Sequence, residues 1–244
     1  MHVTFDKLTQ TFQSIRALID LSLEIPPGKV VAVLGPSGSG KSTMLRCLGG
    51  MCAPVKGEIR FDQEPFKRTR IDLRRKFIFV PDTPLLFPDI TLLDHVSMTA
   101  KVYNRVEAKA LERARNILSD YQCSQLADVK LKSFSRPQGY IAALTILGTI
   151  DPELWIVDEP FTAGLDSHAV QTFSKHVKLA GARGKTVVYS TRDIARAERL
   201  SDLVCLLRKG RCCAFDSIGV VKNKVKQDVG LSDLFEQLNE SKEN

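Results

Sequence analysis

A phosphate-binding loop stands between an apolar run and a helix-forming segment near the start of the chain. The apolar run covers residues 30–34, and the helix-forming segment begins at Met44. The residues between them follow the pattern G-x-x-x-x-G-K-S and are Gly35, Pro36, Ser37, Gly38, Ser39, Gly40, Lys41, Ser42 and Thr43. A strand, a glycine-rich turn and a helix in this order predict an α/β fold with a nucleoside triphosphate site.

The residue types in this loop suit phosphate chemistry. Glycines let the backbone curl so that N–H groups point at phosphate oxygens, and the following helix adds the positive end of its dipole. Lys41 is placed to reach the β- and γ-phosphates, and the Ser42 hydroxyl is placed to hold Mg²⁺. A chance Gly/Ser turn with a lysine is the alternative, but every fixed position of the pattern is filled.

Length and composition limit the class of protein. At 244 residues with 43% hydrophobic content, the chain is one large domain or two small lobes with enough apolar residues for a core. No apolar run approaches the ~18 residues of a membrane span, and the N-terminus lacks a signal pattern. The six cysteines show no paired C-x-x-C spacing, which favours reduced thiols over zinc or disulfide roles. We therefore expect a cytosolic or peripheral protein.

Basic residues are concentrated in one short run. The net charge is +7, and six of the basic residues fall within residues 67–76. Such a run either binds nucleic acid or anionic lipid or is a solvated surface. The absence of interleaved aromatic residues and of a known nucleic-acid module favours the solvated surface.

Hydrophobic patterning predicts the remaining elements. Continuous apolar runs at 77–80, 154–157, 186–189 and 203–207 are typical of buried parallel strands. Strands are also expected within residues 1–34, and apolar residues at helical spacing predict a helical lobe over 89–150, interrupted near 130–139. The predicted fold is an α/β P-loop NTPase (RecA-like) core with a mainly parallel sheet, an N-terminal antiparallel β subdomain and an inserted helical subdomain. The ATP-binding domain is expected to cover 1–220, followed by a helical tail over 221–244.

A second group of candidate site residues follows the apolar run 154–157. Asp158 and Glu159 come directly after it. A carboxylate at the end of a buried strand suits Mg²⁺, because the strand fixes its position beside the phosphate loop. We expect Asp158 to act on Mg²⁺ through water, Glu159 to serve as general base toward the attacking water, and Lys41 to be the second catalytic residue. A strand that simply ends in an acidic turn is the alternative.

The order of these motifs resembles the nucleotide-binding subunit of an ABC transporter, over residues 2 to about 216. The resemblance implies ATP and Mg²⁺ as ligands. It also implies that Phe12 stacks on adenine and that Asp166 is the aspartate of the family's D-loop, in a stretch one residue longer than usual. Residues 229–238 resemble the end of subunits from ABC-2-type exporters.

The family's Leu-Ser-Gly-Gly-Gln signature is altered in this chain. By the resemblance, the signature opens a helix and binds the γ-phosphate held by the other subunit of a head-to-tail dimer. The aligned residues are Phe134, Ser135, Arg136, Pro137 and Gln138. Both glycines are lost, and Pro137 has no N–H to donate. Losing one donor aimed at developing charge costs about 10²–10³ in rate in other enzymes. Arg136 either supplies a compensating charged donor or faces solvent.

Two further positions depart from the family pattern. Asp82 stands where the family has a glutamine that senses Mg²⁺, water and the membrane partner, and we expect it to remain able to bind metal. Arg192 stands in place of the switch histidine that contacts the γ-phosphate. Arg192 is expected to bond a phosphate oxygen, but its permanently protonated guanidinium cannot shuttle a proton.

The resemblance implies two kinds of partner. One is a polytopic transmembrane transporter subunit, which places this chain in the cytoplasm, peripheral on the inner face of a membrane. The other is a second ATP-binding subunit, in a homodimer or in a heterodimer with another ABC ATPase subunit. A homodimer would combine an intact phosphate loop with an altered signature, so we expect ATP binding with slow hydrolysis. The alternative function is an ATP-binding regulatory or assembly module with little or no turnover.

Nucleic acid is not an expected partner. The +7 charge suggests an ABC protein that acts on DNA or the ribosome. Members of the translation type carry two nucleotide domains, and DNA-repair members carry long coiled coils. The sequence has neither feature.

Overall fold

Two β-sheets organise residues 1–227, the part of the chain that the computed structural model describes. Helices pack against these sheets, and the combination confirms the predicted α/β class with a mainly parallel sheet, an antiparallel β subdomain and an inserted helical subdomain. Within the described residues, none of the helices combines the length and the apolar character that a membrane crossing requires.

The smaller sheet is antiparallel and comes from the N-terminal part of the chain. Its strands are β1 (Val3–Phe12), β2 (Ile15–Ile25), β4 (Lys56–Phe61) and β5 (Glu64–Pro65), in the order β2-β1-β4-β5. In β1, Val3, Phe5 and Leu8 are fully buried or nearly so. Val3 and Phe5 alternate with less buried residues, and the pattern restarts at Leu8 after an irregularity in the pairing with β2, as a strand with one face on the core requires. β1 extends to Phe12 because that residue still pairs with Ile15 across the hairpin.

The larger sheet carries the long apolar runs of the sequence. Its strands are β3 (Val30–Leu34), β6 (Phe77–Val80), β7 (Leu154–Val157), β8 (Thr186–Thr191), β9 (Leu203–Arg208) and β10 (Arg211–Asp216), in the order β10-β9-β3-β8-β7-β6. β10 pairs antiparallel with β9, and the other neighbours are parallel. The carboxyl ends of β3, β6, β7 and β8 therefore meet at one edge, which is where sheets of this kind bind ligands.

Eight helices connect and cover these strands within residues 1–227. They are α1 (Lys41–Leu48), α2 (Ile71–Arg74), α3 (Leu92–Val102), α4 (Glu107–Asp120), α5 (Arg136–Ile150), α6 (Ser167–Ala182), α7 (Ile194–Leu200) and α8 (Ile218–Gln227). The helical lobe consists of α3, α4 and α5, and α5 is buried along most of its length.

The interruption of the helical lobe lies at 121–135, earlier than the 130–139 that the sequence predicts. α5 already begins at Arg136, because Ser135 caps it and Gln138 completes a capping box. Pro137 occupies the first turn, where N–H groups have no intrahelical acceptor, so its missing donor costs the helix nothing. The two residues that replace the signature glycines are thus compatible with a helix start.

The C-terminal helix α8 crosses the boundary predicted at 220/221. Val221 is completely buried, and the Lys222 ammonium lies 2.6 Å from the Glu198 carboxylate on α7. The first part of the predicted tail is therefore packed on the core. The rest of the tail, with the segment that resembles ABC-2 exporters, lies outside the described residues.

Three segments that are distant in sequence meet at Gly210, in the turn between β9 and β10. The Gly210 N–H donates to the Ser39 carbonyl oxygen at 2.9 Å, and the Ile19 N–H donates to the Gly210 carbonyl oxygen at 2.8 Å. Gly210 is buried and has φ 77°, and a Cβ atom there would lie 2.8 Å from the Ala17 carbonyl oxygen. The antiparallel sheet and the phosphate loop are therefore joined through this turn.

The basic run 67–76 is partly used in contacts within the chain. The Arg70 guanidinium lies 2.7 Å from Glu64 and 2.6 Å from Asp72, and the Arg75 Nε donates to the Val102 carbonyl oxygen at 2.8 Å. These contacts are consistent with a solvated surface.

Candidate functional site

The phosphate loop links β3, in the interior of the parallel sheet, to α1, which begins at Lys41. Gly40 immediately precedes the helix and has φ 107°, and a Cβ atom there would lie 2.5 Å from the Ala17 carbonyl oxygen. An L side chain would therefore meet both backbone strain and a steric clash at this position. The loop conformation depends on glycine here.

A cavity of about 510 Å³ opens over the phosphate loop. Residues 37–43 form one part of its wall. Asp82, Glu159 and Arg192, which follow β6, β7 and β8, form another part. The structure thus brings four separately predicted segments to one cavity. The sequence analysis missed five further lining residues, which are Ile15, Arg16, Ala17, Thr162 and Lys209.

Lys41 lies at the bottom of this cavity with 6% of its side chain exposed. Its ammonium donates to the carbonyl oxygens of Gly35 at 2.8 Å and Pro36 at 3.1 Å. It also lies 3.4 Å from the Glu159 Oε1 atom. Burial lowers the pKa of Lys41, Glu159 opposes that shift, and the nearby Arg192 adds to it. The lysine therefore lies among oxygen acceptors, and its burial weakens its hold on the proton.

Asp158 is fully buried at the end of β7. Its Oδ1 atom accepts from the Ser42 hydroxyl at 3.2 Å and from the Ser190 hydroxyl at 2.6 Å. Its Oδ2 atom has no hydrogen-bond partner among the described residues. A buried carboxylate oxygen without a partner is costly, so a cation beside Ser42 and Asp158 would be stabilising.

This pair of oxygen donors fits Mg²⁺. The ion is held by one or two protein oxygens together with phosphate oxygens and water. Nowhere in residues 1–227 do three or more His, Cys, Asp or Glu side chains form a metal cluster. Asp82 lines the same cavity.

Glu159 has a constrained backbone. Its φ of 46° lies in the left-handed region, which is uncommon for a residue with a side chain. Its N–H donates to the Ser190 Oγ atom at 2.8 Å, and its carbonyl oxygen accepts from the Thr162 hydroxyl at 3.0 Å. These two bonds fix the residue in the conformation that points its carboxylate toward Lys41.

Ser190 and Tyr140 support this site, and the sequence analysis missed both. Ser190 bonds Asp158 and Glu159 together, as described above. The Tyr140 hydroxyl on α5 donates to the Asp158 carbonyl oxygen at 2.8 Å, and the residue is fully buried. Burial raises the pKa of Tyr140 well above its usual value, so it remains a donor. Ser190 could have been found from its position at the end of an apolar strand, whereas nothing in the sequence marks Tyr140.

The signature residues lie apart from this cavity. Ser135 and Gln138 are not among its lining residues. The Ser135 Oγ atom accepts from the Gln138 N–H at 3.4 Å, and the Gln138 Oε1 atom accepts from the Ser135 N–H at 2.9 Å. Ser135 and Gln138, the two of these residues that match the Ser and Gln of the family signature, therefore both cap α5.

Two other predicted residues occupy peripheral positions. Phe12 is 44% exposed at the end of β1 and does not line the cavity, although Ile15, its partner in the hairpin, does. Asp166 caps α6 by accepting from the Ala169 N–H at 2.7 Å.

Comparisons with known proteins show which family the chain resembles. Residues 18–162 match the family model described as ABC transporter. The ABC-type transporter ATP-binding protein EcsA of Bacillus subtilis is 28% identical over 232 residues, which cover 95% of this chain and 94% of EcsA.

Two solved structures resemble the whole described fold. An ATP-binding subunit of an ABC transporter is 25% identical, with a TM-score of 0.87 over 98% of this chain and 100% of the other. The ATP-binding cassette MJ0796, in a dimeric post-hydrolysis state with ADP and Pi, is 28% identical, with a TM-score of 0.77 over 88% of this chain and 98% of the other.

The cavity over the phosphate loop, the buried Asp158, the adjacent Glu159 and these similarities lead to one assignment. The chain belongs to the ABC transporter family, as an ATP-binding subunit and ATPase of that family.

Proposed function

We propose that this chain binds Mg²⁺-ATP in the cavity over the phosphate loop and hydrolyses it slowly when it pairs with itself. The observation that carries the proposal is a contrast between two parts of the chain. Lys41 and Glu159 lie 3.4 Å apart beside the phosphate loop, whereas the first turn of α5 contains Pro137. The nucleotide side keeps the phosphate loop and the two expected carboxylates, whereas the signature side has lost a donor.

In this proposal the phosphate loop, with Lys41, holds the phosphates. Ser42 and Asp158 would hold Mg²⁺, with Asp82 nearby, and the metal would supply positive charge next to the phosphate oxygens. Glu159 accepts a proton from the attacking water. Arg192 donates to a phosphate oxygen in place of a histidine.

The signature side limits the rate. The N-terminus of a helix supplies free N–H donors to an anion, but Pro137 removes one of them, and Ser135 and Gln138 are engaged in the capping box. In a homodimer, the phosphate loop of each copy would face the altered signature of the other copy. A different ABC ATPase subunit with an intact signature would face Lys41 and Glu159 of this chain, and the resulting site would hydrolyse ATP faster. We therefore infer that the working assembly is heteromeric.

A separate transmembrane subunit is the second proposed partner. Leu85 is 85% exposed and Phe87 is 58% exposed, and both follow Asp82 in the segment that joins the parallel sheet to the helical lobe. Exposed apolar side chains of this size mark a contact surface. Docking there would place the chain on the inner face of a membrane and would transmit changes at Asp82 to the membrane subunit.

The experiment that tests this proposal restores the two glycines of the signature. Steady-state phosphate release and fluorescent-nucleotide binding are measured on the wild-type chain and on Arg136→Gly with Pro137→Gly. We expect similar nucleotide affinity and a turnover that rises by about 10²-fold, because the double variant regains a backbone donor. Fast turnover in the wild-type chain alone, or no gain in a double variant that still binds nucleotide, would refute the proposal.

The altered signature also supports a second function, an ATP-binding regulatory or assembly module. Such a module would bind ATP tightly and dimerise without releasing phosphate, alone or with an intact partner subunit. Mixing this chain with a candidate partner and measuring phosphate release separates the two functions.

A further inference from the structure

A groove between α6 and α7 lies outside the nucleotide site. Its volume is about 630 Å³, and Lys175, Lys178 and Arg199 contribute its polar wall. Val170, Leu179 and Leu200 contribute apolar surface, and Leu179 is 46% exposed. We call this surface the α6–α7 groove.

The α6–α7 groove is positively charged, and three of its basic side chains have no ion pair with a described carboxylate. α6 contains no acidic residue. Within residues 1–227 no ion pair joins Lys175, Lys178 or Arg199 to a carboxylate. Arg196, which also lines the groove, differs because its Nε atom lies 3.6 Å from the Asp193 carboxylate and its guanidinium stacks over the Phe161 ring at 4.2 Å. Exposed like charges repel one another, so this surface favours an anionic occupant.

The last part of the chain has the opposite charge. Residues 228–244 carry five carboxylate side chains and one lysine, which are Asp228, Asp233, Glu236, Glu240, Glu243 and Lys242. The same segment contains four large apolar residues, which are Leu231, Leu234, Phe235 and Leu238. An acidic segment with apolar side chains complements a basic groove with apolar walls.

The segment follows α8, which contacts one of the two helices that form the groove. The described part of α8 reaches Gln227, and the 2.6 Å contact between Lys222 and Glu198 ties it to α7. Glu198 is the immediate neighbour of Arg199 in the sequence. A stretch of about nine residues, from Gln227 to Glu236, can span roughly 30 Å, which exceeds the ~10–12 Å diameter of a single helix.

We propose that the acidic segment 228–244 binds in the α6–α7 groove of the same chain. The carboxylates pair with Lys175, Lys178 and Arg199, and the apolar residues cover Leu179. Because α7 begins two residues after Arg192 on the cavity wall, the bound segment braces the helix that follows the proposed phosphate contact.

A zero-length carbodiimide cross-linking experiment on the full chain tests this proposal. The reagent joins a carboxylate to an amine in direct contact, and peptide mass spectrometry identifies the pairs. We expect cross-links from Asp233, Glu236 or Glu240 to Lys175 or Lys178. High salt should diminish them, because it screens exposed charges.

Two charge-reversal variants keep the reactive amines and carboxylates, and only one of them changes the charge of the groove. Arg199→Glu should reduce the yield of these cross-links several-fold, because it reverses a charge of the groove without removing an amine. Arg115→Glu, an exposed arginine on α4, is the matched control and should leave the yield unchanged.

Other outcomes overturn the proposal. An equal mixture of ¹⁴N- and ¹⁵N-labelled chains distinguishes contacts within a chain from contacts between copies. Mixed-isotope cross-links would assign the segment to a second copy. Cross-links that lead only to the basic run 67–76, or none to α6, would remove the groove as its binding site.

Discussion

The Lys41 ammonium and the Glu159 carboxylate form an ion pair at 3.4 Å, with 6% and 16% of their side chains exposed. The proposed mechanism uses the lysine for phosphate and the carboxylate for water. Phosphate binding must therefore compete with this ion pair, and the carboxylate becomes available to water as the lysine turns to phosphate.

Replacing Glu159 with glutamine should separate binding from hydrolysis. We expect Glu159→Gln to lower single-turnover phosphate release by about 10²–10⁴-fold, because a general base is lost. Nucleotide affinity should be retained or increased, because a negative charge beside the phosphates is removed. Glu153→Gln, which changes an exposed residue just before β7, is the control. Undiminished release in Glu159→Gln would exclude this residue as the base.

Alanine at Gly40 should weaken nucleotide binding. A Cβ atom would lie 2.5 Å from the Ala17 carbonyl oxygen, at φ 107°, so the phosphate loop must change shape. We expect affinity for fluorescent ATP to fall by more than tenfold, since about 1.4 kcal/mol of strain suffices for that factor. Gly219→Ala on α8, where the added Cβ meets open space, should instead stabilise the fold by about 0.5–1 kcal/mol. Equal affinity in Gly40→Ala and wild type would contradict the loop geometry.

The hydroxyl of Tyr140 should matter for both stability and turnover. It donates to the Asp158 carbonyl oxygen at 2.8 Å, and Tyr140→Phe should lower the free energy of unfolding by about 0.5–1.5 kcal/mol. Tyr103→Phe is a matched control, because the Tyr103 hydroxyl makes a similar bond, 2.9 Å to the Phe77 carbonyl oxygen. Urea unfolding should show comparable losses, but only Tyr140→Phe should reduce phosphate release. If both variants alter turnover equally, Tyr140 has no particular role in positioning Asp158.

His95 should make the fold sensitive to acid. The residue is 8% exposed in the helical lobe, its Nε2 atom has no partner among the described residues, and burial lowers its pKa from about 6.5. Below that pH the unfolded chain binds more protons at this residue than the native chain does, so the stability falls as the pH decreases. Urea unfolding at several pH values between 5 and 8 should show a smaller decrease for His95→Gln. Parallel curves for the two proteins would contradict this assignment.

Local patterns in the sequence predicted most of the fold. The strands at 77–80, 154–157 and 203–207 were recognisable because a parallel sheet buried on both faces needs continuous apolar runs. The start of α5 was misplaced because proline and glycine at 137–139 indicate a break, whereas a capping box at Ser135 makes them the first turn of a helix.

Residues of the candidate site were predictable where they belong to a recognisable sequence motif. Lys41, Asp82, Glu159 and Arg192 come after strands of the parallel sheet and line one cavity. Asp158, at the end of β7, joins them through its hydrogen bond with Ser42. Tyr140 was not predictable, because its role depends on a long-range hydrogen bond from α5 to Asp158, the residue after β7. Stacking of Phe12 on adenine stays a prediction, since Phe12 is exposed and pairs with Ile15, which lines the cavity.

The turn at Gly210 affects where a reporter protein can be inserted into this chain. A short hairpin turn near the C-terminus is normally an attractive insertion point, because loop tips tolerate added sequence. Here the backbone N–H of Gly210 is bonded to Ser39 and its carbonyl oxygen to Ile19. A fluorescent tag or a circular permutation at this turn would break both bonds and loosen the phosphate loop, so labelled versions of the protein should carry the tag elsewhere.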